Sequence, residues 1–267
     1  MKKILLCLLV LFFLVSCASV NPFNDERPFI GAIAEDGKYL FTTTDSEAIL
    51  SLPIKINRVS GSFDPDTGVL FGAIEGAFSK TIVTAGIDAS GQFTKAKEDG
   101  FTYWTHKESG IQVTVPASDI ILFSTSRVKE VYDRTFGEKD YESRLDGSVI
   151  KDLFSSVSGL YVNRPTQLPQ TDLDLSEAAV ERFDHIIIIA DTETYDTGFT
   201  LTTREYSDSF FKLLKAAYTT MLKKNSQKID LQYLKQIITQ DGNTVRLLDQ
   251  SLDENYILGI IQNRVNI

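Results

Sequence analysis

Short apolar segments separated by turn residues fill the first half of the chain. Between Phe29 and Thr125 these segments are rich in β-branched and aromatic residues, and Asp, Ser and Gly cluster between them. Regular spacing of this kind is typical of an antiparallel meander. The predicted strands are KYLFTT, VLFGAIEGAF, KTIVTAGI, QFTKA, FTYWTHK, IQVTV and DIILFST. Gly72 and Gly76 lie inside the second of them and predict a bend or bulge of a curved sheet.

Two helices are predicted to follow these strands. Apolar residues recur at helical spacing in residues 126–136, where Ser126 can cap the helix and Gly137 can end it. The same reasoning predicts a second helix over residues 148–158, with Gly159 as its end.

The last third of the chain mixes both kinds of element. Residues 186–190 are apolar throughout, which predicts a central strand covered on both faces. The strongest helical periodicity runs from Arg204 to about Lys224, with Thr202 and Glu205 as a capping box. Its inner stripe is predicted to contain Tyr206, Phe210, Leu214, Ala217, Tyr218 and Met221. The remaining predicted elements are a short helix capped by Ser176, a helix at 231–238, and strands at 199–203, 245–248 and 256–261.

This pattern predicts an α+β fold, in which an antiparallel β-rich N-terminal part is followed by helices and a mixed α/β C-terminal part. A strand shared between the two parts would make them one domain, and the pattern leaves this open.

The first residues of the chain have a different character. A cationic start, Met1-Lys2-Lys3, is followed by an apolar run from Ile4 to Val15 in which Cys7 is the one polar residue. The run is shorter than the roughly 20 residues that a membrane-spanning helix needs. A short apolar run after a basic start is typical of a secretory signal.

The end of this run, Leu14-Val15-Ser16-Cys17, resembles the lipobox of bacterial lipoproteins. The resemblance implies cleavage between Ser16 and Cys17, a diacylglyceryl thioether on the Cys17 thiol, and acylation of the new amino terminus, for instance with palmitate. Two or more acyl chains hold a protein stably at a membrane without spanning it. The alternative is an ordinary secretory signal in which Cys17 is incidental.

Five segments follow from these signals. They are a signal peptide at 1–16, a lipidated tether at 17–28, a β-rich part with two helices at 29–162, a linker candidate with two prolines at 163–172, and a mixed part at 173–267.

Composition narrows the possible functions. Hydrophobic residues make up 43% and charged residues 24% of the chain, as in globular proteins. The formal charge of −9 argues against a nucleic-acid partner and against wide contact with anionic lipid. Of the two cysteines, Cys7 would leave with the signal and Cys17 would carry lipid. We therefore expect no disulfide, thiol nucleophile or thiolate metal site in the mature fold.

Three carboxylates follow the predicted central strand. Asp191, Glu193 and Asp196, with His185 on the strand itself, could bind a divalent ion or act as acid and base. The alternative is a solvated turn and a core or edge histidine. The G-x-S-x-G, H-E-x-x-H, P-loop and G-x-G-x-x-G motifs are absent from the sequence, so we predict neither catalytic residues nor a cofactor.

Phe101, Tyr103 and Trp104 form an aromatic cluster in the sequence, which could stack on a sugar or contact lipid. Alternation along a strand places Phe101 and Tyr103 on one face and Trp104 on the other, so at least one side is expected to be core.

The leading hypothesis is a lipid-anchored protein of the bacterial cell envelope, outside the cytoplasm, which binds or scaffolds without catalysis. Its expected partners are membrane lipid through Cys17 and an envelope protein or small molecule. One alternative is an enzyme centred on Asp191, Glu193 and Asp196. Another is a lipoprotein that binds a hydrophobic ligand in a cavity of roughly 300–1,000 Å³ lined by strands of residues 69–123.

Replacement of the lipobox cysteine tests the anchor. Cys17→Ser removes the thiol that a thioether requires, so the variant should move from the detergent phase to the aqueous phase in detergent partitioning. The mass of the mature wild-type protein should exceed that of its amino acids by the acyl groups. Equal partitioning of both proteins would contradict the lipobox interpretation.

Overall fold

A computed structural model describes residues 27–32, 38–44, 55–64, 66–137, 145–165, 176–224 and 231–251. The predicted signal peptide, Ser16, Cys17, most of the predicted tether and the predicted strand at 256–261 lie outside the described residues.

The described helices are α1 (Arg27–Gly31), α2 (Lys80–Ser90), α3 (Val128–Phe136), α4 (Gly147–Ser155), α5 (Glu177–Val180), α6 (Arg204–Lys224) and α7 (Leu231–Ile237). The described strands are β1 (Tyr39–Thr43), β2 (Lys55–Asp64), β3 (Val69–Ala77), β4 (Phe93–Glu98), β5 (Phe101–His106), β6 (Gln112–Ala117), β7 (Ile120–Ser124), β8 (Ser158–Asn163), β9 (Phe183–Ala190), β10 (Thr194–Leu201), β11 (Ile238–Asp241) and β12 (Thr244–Ser251).

Twelve strands are hydrogen-bonded in the order β11-β12-β10-β9-β8-β1-β2-β3-β7-β6-β5-β4, in an antiparallel sheet. The predicted α+β fold class is thereby confirmed. The chain divides into an N-terminal unit of residues 1–34, 44–61 and 69–143, and a C-terminal unit of residues 35–43, 62–68 and 144–267.

The N-terminal unit buries its core between the sheet and helices α1 and α3. The core residues are Ala32, Phe71, Ala73, Leu122, Val128 and Val131. Gln112 of β6 caps α3, because its Oε1 accepts a hydrogen bond from the Val128 amide at 3.1 Å. The prediction that Ser126 caps this helix is therefore wrong, while Gly137 ends it as predicted.

Helix α2 replaces the strand that was predicted for KTIVTAGI. Its β-branched residues favour a strand, but a contact from the neighbouring strands holds the helix in place. Asp88 of α2 accepts a hydrogen bond from Trp104 Nε1 at 2.6 Å and pairs with Lys95 Nζ at 3.0 Å. Gly91, at a positive φ of 68°, ends the helix. Strand β2 and helix α1 were not predicted, and α1 places Pro28, assigned to the tether, in a buried position.

Three phenylalanine rings lie at the centre of the C-terminal unit. Phe210 of α6 contacts Phe183 of β9 and Phe199 of β10 edge-on, with ring centroids 5.1 Å apart in both pairs. Ile186 and Ile188 share this face of the sheet and are buried. Ile187 and Ile189 on the opposite face are half-buried, so the prediction that this strand is covered on both faces is only partly correct.

Helix α4 covers part of that second face. It begins after Asp146, whose Oδ1 accepts a hydrogen bond from the Ser148 amide at 2.8 Å, and it ends at Ser155. Gly159 was predicted to end this helix but belongs to β8, which was not predicted. A Cβ atom at Gly159 would lie 2.7 Å from Leu153 Cδ2, so glycine lets α4 pack closely on β8.

Helix α6 has the predicted bounds but a slightly different cap and stripe. Thr203 Oγ1, not Thr202, accepts a hydrogen bond from the Tyr206 amide at 3.4 Å. Phe210 and Leu214 are buried as predicted, whereas Met221 is 39% exposed and Leu222 takes its place in the interior. Among the described residues, no helix has both the length and the hydropathy needed to cross a membrane.

Two glycine-to-alanine substitutions in the N-terminal unit should have opposite effects on stability. A Cβ atom at Gly76 of β3 would lie 2.3 Å from the Lys55 carbonyl oxygen, which belongs to the backbone and cannot move easily. Gly76→Ala should lower the free energy of unfolding by about 1–3 kcal/mol. Gly86→Ala in α2 meets nothing within 4 Å and should raise it by about 0.5–1 kcal/mol, because alanine favours a helix.

Urea denaturation of the two variants measures this difference directly. Stabilisation by Gly76→Ala would contradict the close backbone approach, and destabilisation by Gly86→Ala would contradict the helix at residues 80–90.

Candidate functional site

The three predicted carboxylates lie at the β9–β10 hairpin and are exposed. Asp191 and Glu193 belong to the turn, which the Asp191 amide closes by donating to the Thr194 carbonyl at 2.9 Å. Asp196 lies in β10 at a bulge between Tyr195 and Thr197, where its Oδ1 accepts a hydrogen bond from the Asp249 amide at 2.8 Å. That carboxylate therefore stabilises the irregular pairing of β10 with β12.

His185 lies at the other end of β9 from Asp191, at a distance of about 20 Å along the strand. Its ring stacks on Tyr161 of β8 with centroids 5.1 Å apart. Burial lowers the pKa of His185, and nearby Asp184 opposes the shift. Within the described ranges, no group of three His, Cys, Asp or Glu side chains could hold a metal ion, so the metal alternative finds no ligand set there.

The aromatic cluster is divided between two faces of β5, as strand alternation requires. Phe101 and Tyr103 stack with centroids 6.0 Å apart, and Phe101 also contacts Tyr132 of α3. Trp104 is 4% exposed and uses its Nε1 to bind Asp88. Phe101 and Tyr103 therefore pack towards α3 on one face of β5, and Trp104 contacts α2 on the other face.

An apolar groove of about 350 Å³ lies in the C-terminal unit between α5 and the first half of α6. We call it the α5–α6 groove. Its apolar lining consists of Ala178, Ala179, Phe183, Leu201, Phe210 and Leu213, and its polar residues are Arg182, Tyr206 and Ser209.

Local sequence explains why the groove stays open. Helix α5 contributes the small side chains Ala178 and Ala179, which cannot fill the space that faces α6. Phe183 and Phe210 hold the floor in place through their edge-on contact. Leu213, one turn of α6 further on from Phe210, is 46% exposed, although leucine is commonly buried.

Arg182 provides the positive charge of the groove. Its guanidinium lies over the Tyr206 ring, with the central carbon 4.5 Å from the ring centroid. The Arg182 carbonyl accepts a hydrogen bond from the Thr202 amide at 2.9 Å, which fixes the backbone at this point. The side chain is exposed and forms no ion pair with the part of the chain that the structure describes.

Two other cavities of the C-terminal unit have more polar linings. One of about 400 Å³ includes Arg164, Glu181 and Asp184. Another of about 260 Å³ includes Asp152, Asp196 and Arg246 over half-buried isoleucines of β9. All three cavities are lined by residues of the range 152–248, not by the strands of 69–123 where the sequence predicted a ligand cavity.

Sequence reasoning did not identify Arg182 or the groove. Arg182 lies in a two-residue connection between a short helix and a strand, where charged residues are ordinary. The available signal was the pair of alanines in α5 beside an apolar position of α6, Leu213, that lies outside the predicted inner stripe.

The sequence matches no protein-family model, and it matches no curated protein in the comparison. The structure resembles that of TP0453. Crystal form I aligns with a TM-score of 0.56 and 14% identity over 92% of this chain and 98% of that one. Form III gives 0.54 and 13% over 92% and 99%, and form IV gives 0.55 and 12% over 87% and 95%. The likeness establishes a shared fold.

The environment of His185 predicts how stability depends on pH. Because burial lowers its pKa below the ordinary value of 6.5, the folded state binds fewer protons than the unfolded state. The free energy of unfolding should therefore be highest above pH 6.5 and should fall as the pH drops through that value towards the folded-state pKa.

His185→Phe keeps a ring against Tyr161 but does not titrate. Urea denaturation of the variant between about pH 7.5 and about pH 5 should show a smaller loss of stability than the wild type. Parallel curves for the two proteins would contradict the burial of the imidazole.

Proposed function

We propose that this protein is a lipid-anchored lipoprotein of the bacterial cell envelope that binds a hydrophobic small molecule and does not act as an enzyme. Two features support the proposal. The Leu14-Val15-Ser16-Cys17 motif resembles a lipobox at the end of a signal sequence. The α5–α6 groove supplies an apolar surface to which a ligand could bind.

The groove is the observation that carries the binding role. Ligand sites are concave and mostly apolar, with a few polar groups that orient the ligand. The α5–α6 groove has six apolar residues, one arginine, one tyrosine and one serine in its lining. Its volume of about 350 Å³ lies within the usual range for ligand pockets, at its lower end.

The carboxylate alternative has weaker support from the geometry. Asp191, Glu193 and Asp196 are exposed, and one of them already holds a strand bulge. Acid–base chemistry generally needs a carboxyl group in a concave site with limited access to water. The surroundings of these three residues do not provide such a site.

Blocking the groove tests the binding role. Ala178 is exposed and lines the groove, so Ala178→Trp should place an indole in it while leaving the fold intact. We expect the variant to bind the neutral fluorescent probe phenylnaphthylamine at least about tenfold more weakly than the wild type, a difference of about 1.4 kcal/mol.

Ala216→Trp is the matched control, because Ala216 is an exposed alanine of α6 outside the groove lining. This control should bind the probe as the wild type does, and circular dichroism should show that both variants are folded. Absence of probe binding by the wild type, or equal binding by Ala178→Trp, would contradict the proposed function.

A further inference from the structure

We propose that the α5–α6 groove selects anionic amphiphiles, with Arg182 as the residue that contacts the negatively charged head group. This inference rests on the proposed function, because it names the class of ligand that the same groove would take.

The first argument is the position of the charge. Arg182 belongs to the groove lining together with six apolar side chains, and its guanidinium lies over Tyr206 of the same lining. Stacking uses the flat face of a guanidinium and leaves its in-plane N–H donors available. Those donors match the geometry of a carboxylate, sulfonate or phosphate group. A ligand with an apolar body in the groove would thus place its head group beside them.

The second argument is the balance of charge. The chain has a formal charge of −9, so its net charge repels anions. Among the lining residues that the structure describes, Arg182 is the one with a charge, and two acids close to it in sequence, Glu181 and Asp184, line the neighbouring cavity instead. Arg182 makes no ion pair with any described residue. The groove therefore combines an apolar surface with local positive charge.

The third argument is size. A volume of about 350 Å³ is near the lower limit of ligand pockets, so one chain or one compact ring system fits better than a two-chain lipid. Each methylene buried in such a groove strengthens binding, because apolar surface is removed from water. The apolar body would then provide most of the affinity, and the contact with Arg182 would provide the preference for anions.

A pair of probes with the same aromatic body separates these two contributions. Anilinonaphthalenesulfonate carries a negative charge, whereas phenylnaphthylamine is neutral. Arg182→Gln removes the positive charge and keeps much of the side-chain length. Because charge pairs at exposed positions are worth up to about 1 kcal/mol, the variant should bind the anionic probe about threefold to fivefold more weakly. Its affinity for the neutral probe should stay within about twofold of the wild-type value.

Arg204→Gln is the matched control, because Arg204 is exposed at the start of α6 and lies outside the groove lining. It should leave the affinity for both probes unchanged. Raising the salt concentration should weaken anionic-probe binding to the wild type and should have little effect on the Arg182→Gln variant.

The outcomes distinguish the two proposals. If the wild type binds neither probe, the proposed function itself fails. If both probes bind and Ala178→Trp blocks them, but Arg182→Gln weakens neither or both equally, the groove binds apolar ligands without selecting anions and this inference is overturned. If Arg204→Gln weakens the anionic probe as much as Arg182→Gln does, the preference is a general surface effect and the inference is also wrong.

Discussion

The edge-on contact of Phe210 with Phe183 and Phe199 is the interaction on which the C-terminal unit depends. It joins α6 to β9 and β10 through three buried rings, and such pairs contribute about 0.5–1.5 kcal/mol each beyond the area that they bury. The position of α6 fixes Tyr206 and Leu213 as well, because they lie on the same helix. The α5–α6 groove is therefore a consequence of where these rings hold the helix.

A second constraint is how closely the backbones approach one another. Gly76 brings β3 against the Lys55 carbonyl, and Gly159 lets Leu153 of α4 lie directly on β8. Neither position has a positive φ, so the glycines are needed for space and not for backbone conformation. The fold shared with TP0453 at 12–14% identity shows that very different side chains can satisfy the same arrangement of strands and helices.

The site residues predicted from the sequence differ from the residues that form a candidate site in the structure. The sequence predicted a metal or acid–base site at the carboxylates after β9, because acids that follow a buried strand can form such sites. In the structure, β9 leads directly into a hairpin, which exposes these carboxylates. Trp104 and Asp196 both have structural contacts, to Asp88 and to the Asp249 amide. Within the described part of the chain, the charged residue in the lining of the α5–α6 groove is Arg182, which no sequence pattern singles out.

Periodicity alone determined the α+β class, most strands of the N-terminal unit and the bounds of α6, because alternation and helical stripes are properties of local sequence. Periodicity did not predict the helix at residues 80–90, because its β-branched residues favour a strand. The hydrogen bond from Trp104 to Asp88, which stabilises the helix, forms only in the folded protein. Periodicity did not predict strand β8 either, because a glycine such as Gly159 is typical of a helix end. Its actual role, to leave space for Leu153 of α4, depends on tertiary packing. Tertiary structure alone decided the groove, because a cavity is defined by side chains from α5, α6, β9 and β10 that meet only in the folded protein.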